Sequence, residues 1–400
     1  MDRKKKILIL DRFYFPDEQA TSIYLTELVQ SLSNQFEFHI LSGPPAVVTE
    51  KQPPPHPAAK VFQVPCIRLP KSSLFARFLS DASFLLTSLL RGLFLPRPDL
   101  LVTQTSPPGV WWIGFLLSRW HRVPWVHIFQ DIFPDNLKVL KGNRFGFFFS
   151  VLDQVSSFPL KKANQMVAVG EDMKKRLIQK GLAAEKIRII HNGVDLHFIR
   201  PLSKKNSFSE KYQLIDRFVV LYAGNFGRIN NFEDFLGAAK ILQHCSEIVF
   251  VMVGEGALRD ELLRQIRSQG LTNVRIIPFE PRSKLPEVLA TADVSVVLLR
   301  KGMAGLSIPS KIYSILASGR PILACAEEAS DLTRLVLEAG AGFVIPPGDP
   351  EGFAQALDEL FQNADLRQTL GTRARSFIEN KNFQRRSFQD YEQLFRSVLR

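Results

Sequence analysis

At 400 residues, with 46% hydrophobic and 22% charged side chains, the chain is too long for one ordinary core and too apolar for global disorder, so two domains of roughly 200 residues each are expected. Its formal charge of +12 calls for an anionic partner such as nucleotide phosphates, anionic lipid or nucleic acid. The three cysteines, Cys66, Cys245 and Cys325, stand far apart without a Cys-x-x-Cys pair, which excludes a disulfide framework and a zinc site and fits a reducing cytosol.

The first ten residues carry a basic start but too short an apolar run for a signal peptide. No stretch approaches the ~20 uncharged apolar residues of a spanning helix. Lys6–Leu10 is a strand with the aliphatic character of a central parallel strand, and the loop Asp11–Asp17 follows it. Gln19–Ser33 has helical periodicity through Ile23, Leu28 and Leu32, and Phe36–Leu41 is a second strand. This opening resembles a Rossmann half but lacks a Gly-x-Gly-x-x-Gly fingerprint, so a dinucleotide is not expected. Pro44–Pro57 is a proline-rich, exposed loop of polyproline character.

Arg68–Pro98 interleaves bulky apolar residues with Lys71, Arg77, Arg91 and Arg97, and Asp81 is the only acid between Lys71 and Pro98. That mixture suits a helix lying in a membrane interface, with an anionic surface as partner for residues 68–98 and other basic patches. The same pattern also suits one long helix buried against the sheet with basic edges. Asp99–Gln104 is a strand, Val110–Trp120 an apolar helix, and Trp125–Phe129 a strand that ends at Gln130-Asp131-Ile-Phe-Pro-Asp135. Loops at the carboxyl ends of strands line the binding edge of an α/β sheet, so Asp131 is either a group facing a substrate or a turn residue. Phe145–Leu160 reads as a helix, Gln165–Val169 as a strand, Glu171–Lys180 as a helix, and Lys186–Ile190 as a strand closing on His191-Asn-Gly-Val-Asp195.

Pro201–Asp216 is polar and reads as a linker. A second series of alternating elements follows. Its strands are Phe218–Tyr222, Ile248–Val253, Val274–Pro278 and Val294–Leu299. The stretch Leu306–Cys325 reads as a loop, a short helix, a glycine stop and a buried strand. In it Ser310 caps the helix, Ile312, Ile315 and Leu316 form its apolar stripe, and Gly319 ends it. Phe343–Ile345 and helices from Pro350 onward complete the series. The fold class is therefore α/β: a first Rossmann-like domain over 1–200 and a second over 201–382, facing a cleft, with the helix 383–400 packed back on the first.

Three features converge on one sheet edge. Gly224-Asn-Phe-Gly-Arg228 follows one strand and Gly254-Glu-Gly256 follows another. Glycines there let the backbone approach a phosphate, and Arg228 can bind it through a planar fork. The helix start at Pro309 adds free N–H groups and Lys311, a ready anion site.

The second half resembles the donor domain of a family 4 glycosyltransferase of the GT-B fold. Tyr222–Arg228, Phe250–Gly256, Val274–Pro281, Ala292-Asp293 and Pro309–Pro321 carry the resemblance, with Asn192–Asp195 and Asp131–Pro134 in the first half. It extends over nearly the whole chain, in the right order, and is greatest to the bacterial subgroup of surface polysaccharide and lipid-linked glycan assembly. It implies retaining transfer of a hexosyl or N-acetylhexosaminyl group from a nucleotide-diphospho-sugar, with UDP expected, to a lipid-linked or glycan acceptor. No cofactor or divalent metal, and no nucleic acid, is implied, and the location implied is the cytoplasmic face of the membrane. Arg228 and Lys311 would stabilise the departing diphosphate and Asp131 would act on the acceptor side. Gly224, Asn225, Gly227, Gly254, Glu255, Gly256, Ser310 and Ser314 would contact the donor, and Phe279 and Pro281 would lie against the base.

The departures are specific. Many members place paired glutamates where this chain has Leu306 and Ser314, an arginine and a lysine where it has Asn225 and Asn230, and His-Asp where it has Gln130-Asp131. A serine hydroxyl can meet a ribose oxygen without carboxylate strength. With no histidine before Asp131, His127 and His191 are the nearby imidazoles. A sugar-nucleotide epimerase of the same fold and a non-catalytic nucleotide-sugar-binding membrane scaffold are the alternative functions.

Overall fold

The structure is a computed structural model and describes residues 3–48, 59–67, 74–141 and 146–400. It divides into two compact units. One comprises Met1–Asn192, Gly305–Ser307 and Gln384–Arg400; the other comprises Gly193–Ala304 and Ile308–Phe383.

The first unit holds a seven-stranded sheet. Its strands are β1 (Lys5–Leu10), β2 (Phe36–Ser42), β3 (Ala59–Gln63), β4 (Leu100–Gln104), β5 (Trp125–Ile128), β6 (Gln165–Ala168) and β7 (Ile187–Ile189), in the order β3-β2-β1-β4-β5-β6-β7. Every pairing is parallel. β3 lies beside the proline-rich stretch and was not expected; it is a short, half-exposed edge strand without a strong apolar run. Residues 49–57 of the proline-rich loop lie outside the described residues. Between the strands come α1 (Ala20–Leu32), α2 (Leu74–Leu93), α3 (Val110–His121), α4 (Asp135–Lys141), α5 (Gly146–Leu160) and α6 (Glu171–Gln179). Right-handed crossovers put α1 on one face of the sheet and α2, α3 and α5 on the other. The expected helix over 68–98 is α2, and residues 68–73 lie outside the described residues.

The second unit holds β8 (Phe218–Ala223), β9 (Ile248–Val253), β10 (Val274–Ile277), β11 (Val294–Leu298), β12 (Ile322–Cys325) and β13 (Gly342–Ile345), in the order β10-β9-β8-β11-β12-β13 and again parallel. β8, β9, β11 and β12 are almost wholly buried, as strands covered on both faces must be. Their helices are α7 (Ser207–Lys211), α8 (Phe232–Ile241), α9 (Arg259–Ser268), α10 (Leu285–Thr291), α11 (Lys311–Ser318), α12 (Asp331–Ala339), α13 (Pro350–Gln362) and α14 (Ala364–Lys381). α7 interrupts the stretch read as a plain linker, where Asn206 caps it with a full capping box.

The last helix, α15 (Phe383–Val398), lies from Gln384 onward in the first unit, against α1. The Tyr24 hydroxyl meets the Ser387 hydroxyl, Gln384 donates to Glu27 at 2.7 Å, and the Phe36 and Phe395 rings meet edge to face at 6.0 Å. Tyr391, Leu394 and Phe395 are buried in the same cluster as Leu25, Leu28 and Val29.

Candidate functional site

All strands of the second sheet point their carboxyl ends to one edge, and the loops after β8, β9, β10, β11 and β12 meet there. The first two are knitted together. Gly224 N–H donates to the Val253 carbonyl at 2.9 Å, Phe226 N–H to Glu255 at 2.8 Å, and Leu258 N–H back to Phe226 at 3.1 Å. Phe226 is fully buried beneath them. Gly254 has φ 149°, and a Cβ there would come within 2.0 Å of the Gly224 carbonyl oxygen, so only glycine permits this approach.

Lys311, the first residue of α11, reaches under this loop. Its Nζ has no hydrogen-bond partner and lies 3.5 Å from the centre of the Tyr222 ring. A Cβ on Gly224, whose φ is 141°, would stand 2.9 Å from that Nζ. Burial pushes the ammonium down to about 7, and the positive end of the helix dipole acts in the same direction. The cation expected from sequence is thus in place, with its Nζ buried and no hydrogen bond to offset its desolvation.

The other expected donor contacts divide. Asn225 and Arg228 are exposed on the β8 loop, and Arg228 has no hydrogen bond or ion pair among the described residues. Gly227 lies between Asn225 and the brace Asn230, whose buried amide donates to the carbonyls of Asn225 at 3.2 Å and Gly227 at 3.1 Å. Gly256 sits against Asn225 and Phe226, while the Glu255 carboxylate turns to Arg259 at 3.2 Å. Phe279 is 40% exposed after β10. Pro281 starts the next turn, and Glu280 between them is held by Lys211 and the Tyr212 hydroxyl. Ser310 does not cap α11: its own backbone is helical and its side chain makes no capping bond, which corrects the expectation. Gly319 ends the helix in the left-handed conformation, φ 67°. Ser314, one turn into α11, is half-buried.

The loop after β11 is positioned by a residue that the sequence reading missed. Glu327, just past β12, accepts from Gly302 N–H at 2.9 Å and Ala304 N–H at 3.3 Å through one carboxylate oxygen. An acid directly after a buried strand was the available signal. Two residues after Ala304, Leu306 is fully buried and its carbonyl accepts from Ile132 N–H at 3.0 Å.

In the first unit, Asp131 follows β5 and forms an antiparallel bridge with Ser307. The preceding Gln130 exchanges two amide hydrogen bonds with Asn192, at 2.8 and 3.2 Å, and so joins the two motif loops at 131–134 and 192–195. His127 is a core residue. It is fully buried, its Nδ1 pairs with the Thr103 hydroxyl at 2.8 Å, its ring meets Phe129 edge to face, and burial pulls it down to about 3. It is therefore no candidate for a base. His191 Nδ1 is engaged with the Val169 carbonyl at 3.0 Å. Asp11, at the end of β1, is fully buried with its carboxyl pushed up to about 8; one oxygen accepts from Phe13 N–H and the other has no partner. Among the described residues no group of three His, Cys, Asp or Glu side chains is arranged to hold a metal ion.

Two family models match the chain. Glycosyltransferase Family 4 spans residues 21–198, and Glycosyl transferases group 1 spans 217–363. The chain belongs to the family 4 glycosyltransferases. Among curated relatives of this family, the probable glycosyltransferase WbjE of Pseudomonas aeruginosa is 26% identical over 98% of both chains. The putative colanic acid biosynthesis glycosyl transferase WcaI of Escherichia coli is 25% identical over 94% of this chain and 95% of its own. Among solved structures, Anabaena HepE in complex with UDP-glucose superposes with a TM-score of 0.75 over 98% of this chain and 99% of its own, at 17% identity, which bears on the fold alone. The two parallel sheets are accordingly the two Rossmann-like units of a GT-B glycosyltransferase.

Proposed function

We propose that this glycosyltransferase moves a sugar, with retention of configuration, from a UDP-sugar to a lipid-linked or polysaccharide acceptor of a cell-surface glycan, at the cytoplasmic face of the membrane. The observation that carries the donor assignment is the buried, unpartnered Lys311 Nζ beneath the Gly224 loop. A buried amine without a partner is costly, and a diphosphate is the group that would compensate it. Lys311 and the exposed, unpaired Arg228 would meet the charge that grows on the departing UDP, with no divalent metal. Gly224, Asn225, Gly227, Gly254 and Gly256 would contact the donor, and Gly254 and Gly256 let the two loops pack closely beside it. Phe279 and Pro281 would flank the base, and Ser310 and Ser314 the ribose side of α11. Glu255, paired with Arg259, would contact the donor through its backbone. Asp131 is the acceptor-side acid–base candidate. The choice of UDP follows HepE, a protein of the same fold seen with UDP-glucose, and the glycan role follows the name of WcaI.

A thermal-shift series over nucleotide sugars tests the reading. A UDP-sugar is expected to raise the melting temperature. Lys311→Ala and Arg228→Ala should each lower turnover by on the order of tenfold or more. A melting temperature that no nucleotide moves, or full turnover by both variants, would falsify the donor assignment.

A further inference from the structure

We propose that the outer face of α2, α3 and α5 seats the first unit on an anionic lipid bilayer. The inference deepens the reading of a lipid-linked acceptor, and its test reads lipid contact rather than catalysis, so either can fail alone.

α2 is an inverted amphipathic helix. The stripe it buries is Ser80, Phe84, Ser88 and Gly92, three of them small. The stripe it leaves outside is Phe78 at 66% exposure, Leu86 at 58% and Leu90 at 51%, continued by Phe94 at 82%. A helix folded only against its own sheet does the opposite. Gly92 explains the close seat: a Cβ there would stand 2.5 Å from Leu117 of α3.

The face continues across the neighbouring helices. α3 packs against both α2 and α5. It exposes Leu116 and Trp120, and the Trp120 indole N–H is held by the Leu93 carbonyl at 3.2 Å with its ring outward. α5 exposes Phe147 at 86%, Phe148 at 58%, Val151, Val155 and Phe158. Phe158 stacks on Trp112 of α3, which ties the two helices. A contiguous apolar face of this kind marks an interaction site.

Charge decides the occupant. α2 and α5 carry one acid each, Asp81 and Asp153, and α3 carries none. Asp81 is neutralised by Arg12, and Asp153 by Lys138 and Lys180. Arg91, Arg97, Arg119 and Arg122 remain exposed around the face. A second copy of the chain would bring these arginines against their own kind. A bilayer offers anionic headgroups to the arginines and acyl chains to the phenylalanines, with Trp120 at the boundary. Among the described residues no helix is long and apolar enough to cross a membrane, so the contact is one of lying on the surface.

The experiment is flotation of the full chain with phosphatidylglycerol-containing vesicles and with phosphatidylcholine vesicles alone. Flotation is expected with the former only. Trp120→Ser combined with Phe147→Ser and Phe148→Ser should weaken it on the order of tenfold or more, with the melting temperature unchanged. Brominated acyl chains should quench Trp fluorescence in the wild type and quench it less in Trp120→Phe, an arm that does not depend on how the triple variant folds. Absence of flotation, equal flotation of the folded triple variant, or undiminished quenching in Trp120→Phe overturns the proposal. So does a dimer in sedimentation that the triple variant converts to monomer, which would make the face a self-interface.

Discussion

The Nζ of Lys311 stands 3.5 Å from the centre of the Tyr222 ring and also lies close against Gly224 of the β8 loop. The ring face gives a partial electrostatic partner to an ammonium that has no hydrogen bond. That partner is too weak to offset burial, so the proton is held only to about pH 7. Tyr222 itself is anchored by its hydroxyl, which donates to the Asn225 carbonyl at 2.7 Å. The lysine, the tyrosine and the loop therefore form one unit that a diphosphate would complete.

Donor affinity should depend on pH with a defined sign. The proposed bound state needs the protonated lysine, while the free protein loses that proton as pH rises through about 7. Affinity for a nucleotide sugar should be flat below that value and fall toward tenfold per unit above it. Calorimetry at pH 8 in buffers of different ionisation enthalpy should report proton uptake on binding. Lys311→Met should abolish both the uptake and the slope; a slope that persists in that variant assigns it elsewhere.

Gly224→Ala should disable donor binding with less effect on the fold. The residue has φ 141°, where a side chain is strained, and the new Cβ would meet Lys311 Nζ. A loss of nucleotide-sugar affinity of about tenfold or more is expected, since displacing the lysine removes a charged contact. Titration of the folded variant, monitored by Trp fluorescence, checks this, and wild-type affinity would refute the close approach.

Asn230→Ala should loosen the same loop from below. It strips the donor from the carbonyls of Asn225 and Gly227. A loss of about 1–3 kcal/mol in stability is expected from leaving part-buried groups unmet. Denaturant unfolding measures it, and KM for the donor should rise with kcat changed less. An unaltered unfolding midpoint would reduce Asn230 to a spectator.

Asp11→Asn tests a buried acid with the opposite linkage to a salt-bridged carboxylate. Its folded value, about 8, lies above the ordinary 3.8, so the folded chain binds more protons between those values. Its contribution to stability is present at low pH and is lost as pH rises toward 8. The asparagine variant should match the wild type near pH 4 and exceed it in melting temperature at pH 7 to 8. A difference that does not change with pH would mean that Asp11 is ionised in the folded chain.

Much of the fold was legible because its signals are local. The aliphatic runs Ile248–Val253 and Val294–Leu298 could only be buried strands, and the glycines at 224, 254 and 319 stand where the backbone takes positive φ. β3 was missed because an edge strand has neither a long apolar run nor strict alternation. α12 was missed although Ser330 caps it, because its stripe sits between two glycine-bounded strands and reads as part of them.

The meeting of the glycine loops and the α11 start at one sheet edge was legible, but their contacts were not. Sequence alone determined that Gly224, Gly254 and Lys311 lie at one sheet edge, since parallel strands and their crossovers leave one end for the loops. Only the tertiary structure decided that the Lys311 Nζ is buried without a hydrogen bond, that Glu327 holds the β11 loop, and that His127 is core. It also decided that α2 turns Phe78, Leu86 and Leu90 outward while burying Phe84, a pattern that the sequence left open to burial. The reason is physical: periodicity and glycine conformation are properties of a few consecutive residues, whereas desolvation, hydrogen-bond partnership and exposure are set by atoms dozens to hundreds of positions away.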